Sequence, residues 1–157
     1  MHSSVTRVID AARHAGLDIT VETFPEGTHT AADAATAIGC EVDQIVKSLV
    51  FVADDAPVIV LVSGADRVDV QKLGGLVGAD AVRRAGGDEA RDATGFTIGG
   101  IPPFGHARAL AVVVDRGLLG HEIVWAAAGR PDAVFSIRPD DLVRASGGRV
   151  GDLASAR

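Results

Sequence analysis

The apolar residues near the start of the chain recur three and four positions apart, which is the spacing of an amphipathic helix. They occupy positions within 5–12, and Gly16 is placed to end this helix. Alternation of apolar and polar residues then predicts a strand over 19–24, which Pro25 ends. A further helix is predicted at 31–38, between the N-cap Thr30 and Gly39. A short helix that is capped by Asp43 is predicted to carry residues 45–47. The remaining helices are predicted at 66–76, at 88–93 and from Pro139 onward.

Runs of β-branched and other apolar residues predict the remaining strands. The clearest pair is a hairpin of 48–52 and 57–62, joined by a turn that contains Asp54 and Asp55. The continuous apolar run 109–114 is typical of a strand that is buried on both faces. Three shorter strands are predicted at 81–84, 123–127 and 134–137.

Two segments lack a regular pattern. Residues 94–106 are rich in Gly and Pro and are predicted to form a structured loop, while the tail from Ser146 is predicted to be partly frayed. The order of elements mixes hairpins with helices and lacks a regular strand–helix alternation. A chain of 157 residues fits one domain with a full core and is too short for two ordinary ones. We therefore predict a single α/β (α+β) domain over 1–157 with a mixed, mostly antiparallel sheet flanked by helices.

The composition excludes several classes of protein. Hydrophobic residues make up 47% of the chain and charged residues 23%, which excludes intrinsic disorder. The single Cys rules out a disulfide framework. The longest apolar run is far below the roughly 18 residues of a membrane-spanning helix, and the N-terminus has no apolar stretch of signal-peptide length. We expect a soluble, cytoplasmic protein without a membrane partner.

Charge and motif spacing narrow the candidate chemistry. The net charge of −6 argues against a broad phosphate-binding surface, but it is compatible with a partner that is touched only at its tip. One Cys and five scattered His form no metal-binding pattern, so we expect no metal. The glycine-rich motifs for nucleoside triphosphates and dinucleotides are absent, as is the GxSxG nucleophile elbow. We therefore expect no cofactor.

Three places in the chain carry candidate chemistry. Lys47 lies in an otherwise apolar segment, where its ammonium group either reaches solvent or supplies a fixed positive charge to a pocket. The loop 99–106 begins with two glycines, which would expose backbone N–H groups, although a rigid turn without a ligand fits its composition equally. His106 could be a base, a hydrogen-bond donor or a surface residue. Gly129 follows a strand of small residues that leaves room for a ligand or for close packing.

Seven short motifs occur together in the order and spacing of one known family. On these motifs the chain resembles the YbaK/EbsC family, which contains the prolyl-tRNA editing domain and its free-standing relatives. The resemblance extends over about residues 5–153. The matching segments are TAADAA at 30–35 with IG at 38–39, IVKSLVF at 45–51, VSG at 62–64, TGF at 94–96, GGIPPFGH at 99–106, VWAAAG at 124–129 and PDDL at 139–142.

The resemblance implies both a fold and an activity. The implied fold is a compact α/β domain with a mixed, partly barrel-like sheet flanked by helices. The implied activity is trans-editing: hydrolysis of the ester that links a wrong amino acid to a tRNA, typically a prolyl-tRNA acceptor carrying Cys or Ala. The implied partner is the CCA acceptor end of the tRNA, with prolyl-tRNA synthetase as a candidate second partner.

The resemblance also implies which residues form the site. Lys47, Gly99 and Gly100 are expected to take part in catalysis, Lys47 by anchoring the terminal phosphate or polarising the carbonyl. His106 joins them because it lies at the end of the same loop, where its ring could hydrogen-bond the substrate or the attacking water. No protein nucleophile is needed, because an aminoacyl ester is already reactive and the terminal ribose hydroxyl helps to activate water. The residues expected to bind substrate are Thr30, Ser48, Ser63, Ile101, Pro102, Pro103, Gly129 and Asp141.

Two positions depart from the family pattern and leave the acyl group open. Ser48 stands where several relatives carry Asn, and Thr30 stands where the cysteine-specific branch carries Tyr. A non-catalytic module that binds aminoacyl-tRNA or a nucleotide stays an alternative, as does a hydrolase of another small ester. The intact pocket residues, Lys47 above all, favour the deacylase, because a pocket that has lost its function tends to lose its Lys.

Overall fold

The computed structural model describes residues 3–24 and 30–156. Pro25, which is predicted to end the first strand, lies outside the described residues. The described elements follow each other as α1 (Ser3–His14), β1 (Val21–Thr23), α2 (Ala31–Ile38), β2 (Ile45–Ala53), β3 (Ala56–Ser63), α3 (Val70–Val77), β4 (Val82–Arg84), α4 (Gly87–Thr94), β5 (Ala111–Asp115), β6 (Val124–Ala127), β7 (Ala133–Ile137), α5 (Pro139–Ser146) and β8 (Arg149–Gly151).

The β2–β3 hairpin lies in the middle of the sheet and confirms the clearest prediction from the sequence. The two strands pair antiparallel up to Ala53 opposite Ala56. Asp54 and Asp55 both adopt positive φ, 46° and 68°, as the two central residues of a type I′ turn do. This turn matches the right-handed twist of the flanking strands, which is why the chain tolerates the left-handed backbone there.

The prediction of a helix that carries residues 45–47 is wrong. The structure has a single 3-10 turn at Val42–Gln44, and Ile45 already begins strand β2. The physical reason is pairing at a distance: Ile45 and the next residue pair in parallel with β6, and a β-branched side chain fits the half-buried surface of a strand. Lys47 is therefore a strand residue, with its neighbours pointing to the opposite face.

The sheet is mixed, as predicted. In the described part of the chain its strands lie in the order β1-β7-β6-β2-β3-β5-β8, and β4 pairs with β2 beside this path. Four pairs are antiparallel and three are parallel. The apolar run that is predicted to be a buried strand forms β5, which is paired on both edges.

One edge of β2 is shared by two different strands, and this divides the sheet. Ile45 and Val46 pair with β6 at the start of β2, whereas residues 51–53 pair with β4 at its end. Residues 47–49 lie between these two stretches, opposite neither strand. The opposite edge of β2 is paired with β3 along almost its whole length. A local opening in the sheet is the result.

The C-terminal tail is ordered, so the prediction of fraying from Ser146 is wrong. Strand β8 pairs in parallel with β5, and Leu153 beyond it is fully buried. The carboxylate of Asp115 accepts hydrogen bonds from the backbone N–H groups of Leu153 at 2.9 Å and Ala154 at 3.2 Å. A buried side chain that satisfies otherwise free backbone donors fixes the segment in place.

Helices cover both faces of the sheet. Val8 of α1 and Leu142 of α5 pack into a core cluster on one face, and Leu73 of α3 packs into a second cluster on the other. This layered arrangement confirms the predicted α/β class. Within the described residues, no helix combines the length and apolar character that a membrane crossing needs.

Candidate functional site

A cleft of about 280 Å³ opens where the sheet is divided. Helix α2 and Trp125 form one wall, β2 forms the floor, and the loop after α4 forms the opposite wall with Pro131. Its volume is near the lower end of the range for small-molecule sites. The lining residues are Thr30, Ala31, Ala34, Ile45, Val46, Lys47, Ser48, Leu49, Val50, Arg84, Ala85, Ala90, Ile98, Gly99, Ile101, Trp125, Ala126, Ala127, Pro131 and Val134.

Lys47 supplies a positive charge to this cleft. Its Nζ donates a hydrogen bond to the backbone carbonyl of Asp66, which holds the side chain in one direction. Partial burial lowers the pKa of Lys47, the charge of Arg84 lowers it further, and the Asp66 carboxylate opposes the shift. Lys47 thus lines the cleft, while its charged end is held at Asp66, and its role there stays a prediction.

Ser48 contributes a buried hydroxyl that has no hydrogen-bond partner among the described residues. Gly64 N–H donates to Ile45 O at 2.7 Å, so in the alternating antiparallel ladder the odd-numbered residues of β2 bond to β3. The even-numbered residues direct their backbone groups to the other edge, as the bond from Ala85 N–H to Val50 O at 3.0 Å shows. Ser48 therefore directs its backbone N–H and C=O into the opening of the sheet.

The loop that begins at Gly99 contacts the cleft with some of its residues only. Gly99 has a φ of +96° and lines the cleft together with Ile101. Gly100 donates its N–H to Thr97 O at 3.0 Å, and an added Cβ there would lie 2.8 Å from Arg130 Cα. The amide of Gly100 is thus used inside the turn, whereas Gly99 and Ile101 on either side of it line the cleft.

His106 lies outside the lining of the cleft, as do Pro102 and Pro103. Its Nε2 is 2.8 Å from the carbonyl oxygen of Pro102, four residues earlier in the same loop. Burial lowers the pKa of His106, against the opposing effect of this hydrogen bond. The ring has a defined direction, as the loop chemistry suggests, but that direction is toward the loop backbone.

Three further predicted site residues also lie apart from the cleft lining. Gly129 packs against α1: with a φ of +95°, it would place an added Cβ 2.7 Å from Ser4 O. The buried Ser63 hydroxyl donates to Asp43 O at 2.9 Å. Asp141 pairs with Arg144 of α5 at 3.2 Å. From the predicted set, the structure brings Thr30, Lys47, Ser48, Gly99 and Ile101 together around one cleft.

Arg84 and Trp125 line the cleft although sequence reasoning assigned them no role. Arg84 could have been noticed from strand alternation, because successive side chains of a strand point to opposite faces. Arg83 pairs with Glu89 at 2.7 Å, so Arg84 points to the other face of β4. Trp125 is the only Trp in the chain and lies within one of the matching motifs. Among the described residues, no group of three or more His, Cys, Asp and Glu side chains could hold a metal ion.

Comparison with known families defines the class of protein. The model of the aminoacyl-tRNA editing domain family matches residues 25–145, which is most of the chain. The chain belongs to this family, and the predicted resemblance is confirmed. The fold and the family model together define the class of protein, an aminoacyl-tRNA editing domain.

Individual relatives place the chain more closely. A solved structure of a proposed trans-editing enzyme for prolyl tRNA synthetase is 43% identical, with a TM-score of 0.93 and 99% of both chains covered. Proline–tRNA ligase of Lactobacillus gasseri is 38% identical over 89 residues, which are 57% of this chain and 16% of the ligase. That of Streptococcus mutans is 32% identical over 99 residues, 62% of this chain and 16% of the ligase. The chain thus spans a small part of these ligases.

Proposed function

We propose that this protein is a trans-editing hydrolase that cleaves the ester of a prolyl-tRNA acceptor mischarged with Cys or Ala. The observation that carries the proposal is the cleft in the divided sheet, which Lys47, Ser48 and Gly99 line beside an apolar wall. The similarity to a proposed trans-editing enzyme for prolyl tRNA synthetase and to proline–tRNA ligases supports the choice of tRNA.

The shape of the cleft suits the CCA end of a tRNA. A narrow opening admits a single-stranded end and one small acyl group, while the body of the tRNA stays outside. The wall of Ala34, Ile45 and Trp125 is apolar and close, so it favours a small side chain over a large one. The same geometry explains how a protein with a net charge of −6 can act on RNA without a broad basic face.

The chemistry requires the positioning of water and the stabilisation of developing negative charge. Water attacks the ester carbonyl carbon, the bond from that carbon to the ribose oxygen breaks, and the ribose oxygen receives the proton. Lys47 would polarise the carbonyl or hold the adjacent phosphate, and the backbone N–H groups of Gly99 and Ile101 would face the oxyanion. The neighbouring ribose hydroxyl would orient the water, and no metal or cofactor enters the scheme.

Ser48 is the residue that we expect to contact the acyl group or the α-amino group. A buried hydroxyl without a partner costs free energy, and a bound ligand group would supply the missing hydrogen bond. Because a hydroxyl donates and accepts, it can serve a thiol, an amine or a carbonyl oxygen. Ser48→Ala should therefore change the ratio of rates between cysteinyl and alanyl substrates.

A time course of amino-acid release tests the proposal. Purified protein is incubated with alanyl-, cysteinyl- and prolyl-tRNA for proline, with and without prolyl-tRNA synthetase. We expect release from one or both mischarged substrates and little release from prolyl-tRNA. Binding without release would indicate a non-catalytic module, and equal cleavage of simple amino-acid esters would indicate another ester hydrolase. A minihelix ending in CCA tests whether the acceptor end suffices.

A further inference from the structure

Positive charges gather at the mouth of the cleft, although the protein as a whole is acidic. Arg84 and Lys47 both line the cleft, and Arg84 is exposed whereas Lys47 is half-buried. Arg84 and Arg67 both act on Lys47 as like charges, and the effect of Arg84 exceeds the opposing attraction of Asp66. Such a concentration is unfavourable in the free protein, because like charges at short distance repel each other.

Arg84 lacks a carboxylate partner within the part of the chain that the structure describes. Its guanidinium lies 5.9 Å from the centre of the Phe51 ring, and no ion pair of the described residues includes it. The neighbouring Arg83 differs: it forms two hydrogen bonds to Glu89 at 2.8 and 2.7 Å and lowers the pKa of that carboxylate to about 2. Two adjacent arginines of one short strand therefore serve different purposes.

A guanidinium on an aromatic face is oriented while its N–H groups stay available to solvent or a ligand. Arg binds phosphate oxygens through two parallel hydrogen bonds, so an oriented and unpaired Arg at a cleft mouth suits a phosphodiester. The acyl group of the substrate would occupy the cleft beyond it. The strand that carries this group must pass the mouth, where Arg84 is exposed.

We propose that Arg84 binds a backbone phosphate of the single-stranded acceptor end, on the 5′ side of the terminal nucleotide. The inference rests on the proposed function, because it takes the ligand to be an RNA strand whose last nucleotide lies in the cleft. Arg84 then reads no base. It supplies affinity and register, while Lys47 and the loop backbone act at the ester.

Binding of an uncharged RNA oligonucleotide that ends in CCA tests this role without any hydrolysis. Trp125 lines the cleft and is the only Trp in a chain without Tyr, so its fluorescence reports occupancy directly. The dissociation constant is measured at several salt concentrations for the native protein, Arg84→Gln and Arg84→Lys. The control is Arg149→Gln, which removes the same charge from β8 at the far edge of the sheet.

Loss of one phosphate contact on a single strand should reduce the salt dependence, the slope of log K against log salt, by about 0.7. We expect this change in Arg84→Gln, with a higher KM and an unchanged kcat, whereas Arg84→Lys and Arg149→Gln keep the native slope. An unchanged slope in Arg84→Gln, or no binding of the oligonucleotide by the native protein, would overturn the inference.

Two further outcomes separate this inference from its premise. Arg84-dependent binding without release of any amino acid would refute the proposed hydrolysis and leave the phosphate contact standing. Release of amino acid together with a native slope in Arg84→Gln would refute the phosphate contact and leave the proposed hydrolysis standing. If ATP competes as strongly as the oligonucleotide and shows the same dependence on Arg84, the ligand is a free nucleotide and the assignment to an RNA strand fails.

Discussion

Lys47 shows how one residue acquires a role from its surroundings. The gap between β6 and β4 places it beside the opening of the sheet, and the Asp66 carbonyl accepts a hydrogen bond from its ammonium group. Burial lowers the pKa of Lys47 because the charged ammonium group loses hydration. An anionic group bound nearby would stabilise that charged form. A substrate that develops negative charge during the reaction would provide this stabilisation.

Replacement of Lys47 by Met should abolish most of the deacylation, by roughly 10²–10³-fold, as removal of one oxyanion donor does. Met keeps most of the apolar stem and removes the charge, so the fold should persist. Steady-state rates on mischarged tRNA and urea unfolding are measured together. Activity within twofold of native, or a loss of activity that follows unfolding, would show that the side chain serves packing alone.

His106 predicts a dependence of stability on pH. The pKa of its ring is lowered in the folded state, chiefly by burial, whereas the unfolded chain takes up the proton near pH ~6.5. Its contribution is therefore fully present above that value and is lost as pH falls toward the folded pKa. Urea unfolding between pH 7.5 and 5.5 should show a larger loss in the native protein than in His106→Gln. Equal losses would contradict the buried, neutral ring.

At the scale of elements, α2 forms one wall of the cleft. The helix begins at the Thr30 N-cap, whose side chain accepts from Asp33 N–H at 3.0 Å, and ends at Gly39 in the left-handed region. It lies against the end of β3 at Gly64, where an added Cβ would be 2.7 Å from Ala31 Cβ and 2.9 Å from Val42 O. Contact this close fixes the distance between α2 and the sheet.

Gly64→Ala should displace α2 and weaken both stability and activity. Overpacking of this kind costs about 1–3 kcal/mol, because backbone and side chain have to move apart. The double variant Gly64→Ala with Ala31→Gly removes one of the two close contacts and should recover part of the loss. Urea unfolding and the rate of deacylation check both variants. If Gly64→Ala has native stability, α2 is not held by this contact.

At the scale of the whole molecule, the C-terminal segment completes the sheet. Strand β8 pairs with β5, and Leu153 fills the second core cluster between Leu73 and Val113. The Asp115 carboxylate, at the C-terminal end of the neighbouring strand β5, accepts hydrogen bonds from the backbone of this segment. The tail is thus part of the core and contributes to global stability.

Leu153→Ala should lower the free energy of unfolding by about 2–5 kcal/mol, the usual cost of removing a fully buried Leu. Ala154→Gly, one residue further along, leaves the core cluster intact and provides the control. Chemical denaturation at one pH measures both. A change below 0.5 kcal/mol in Leu153→Ala would support the frayed tail that the sequence pattern suggests.

The sequence by itself determined most of the elements and the family, but not the strand at residues 45–47 or the one in the C-terminal tail. Hydrophobic spacing, capping residues and turn residues act within a few positions, so α2, the β2–β3 hairpin and α5 could be predicted from neighbours alone. Seven motifs in order indicated the editing family, and with it Lys47, Ser48 and Gly99. These inferences needed no knowledge of which distant segments touch.

Only the tertiary structure decided which of these residues share a site. The opening in the sheet exists because β6 and β4 pair with different ends of β2, and such pairing depends on contacts between residues far apart in the chain. That opening brings Arg84 and Trp125 beside Lys47 and leaves His106 facing the carbonyl of Pro102. Local spacing predicts a strand, but which of its edges stays unpaired follows from the whole sheet.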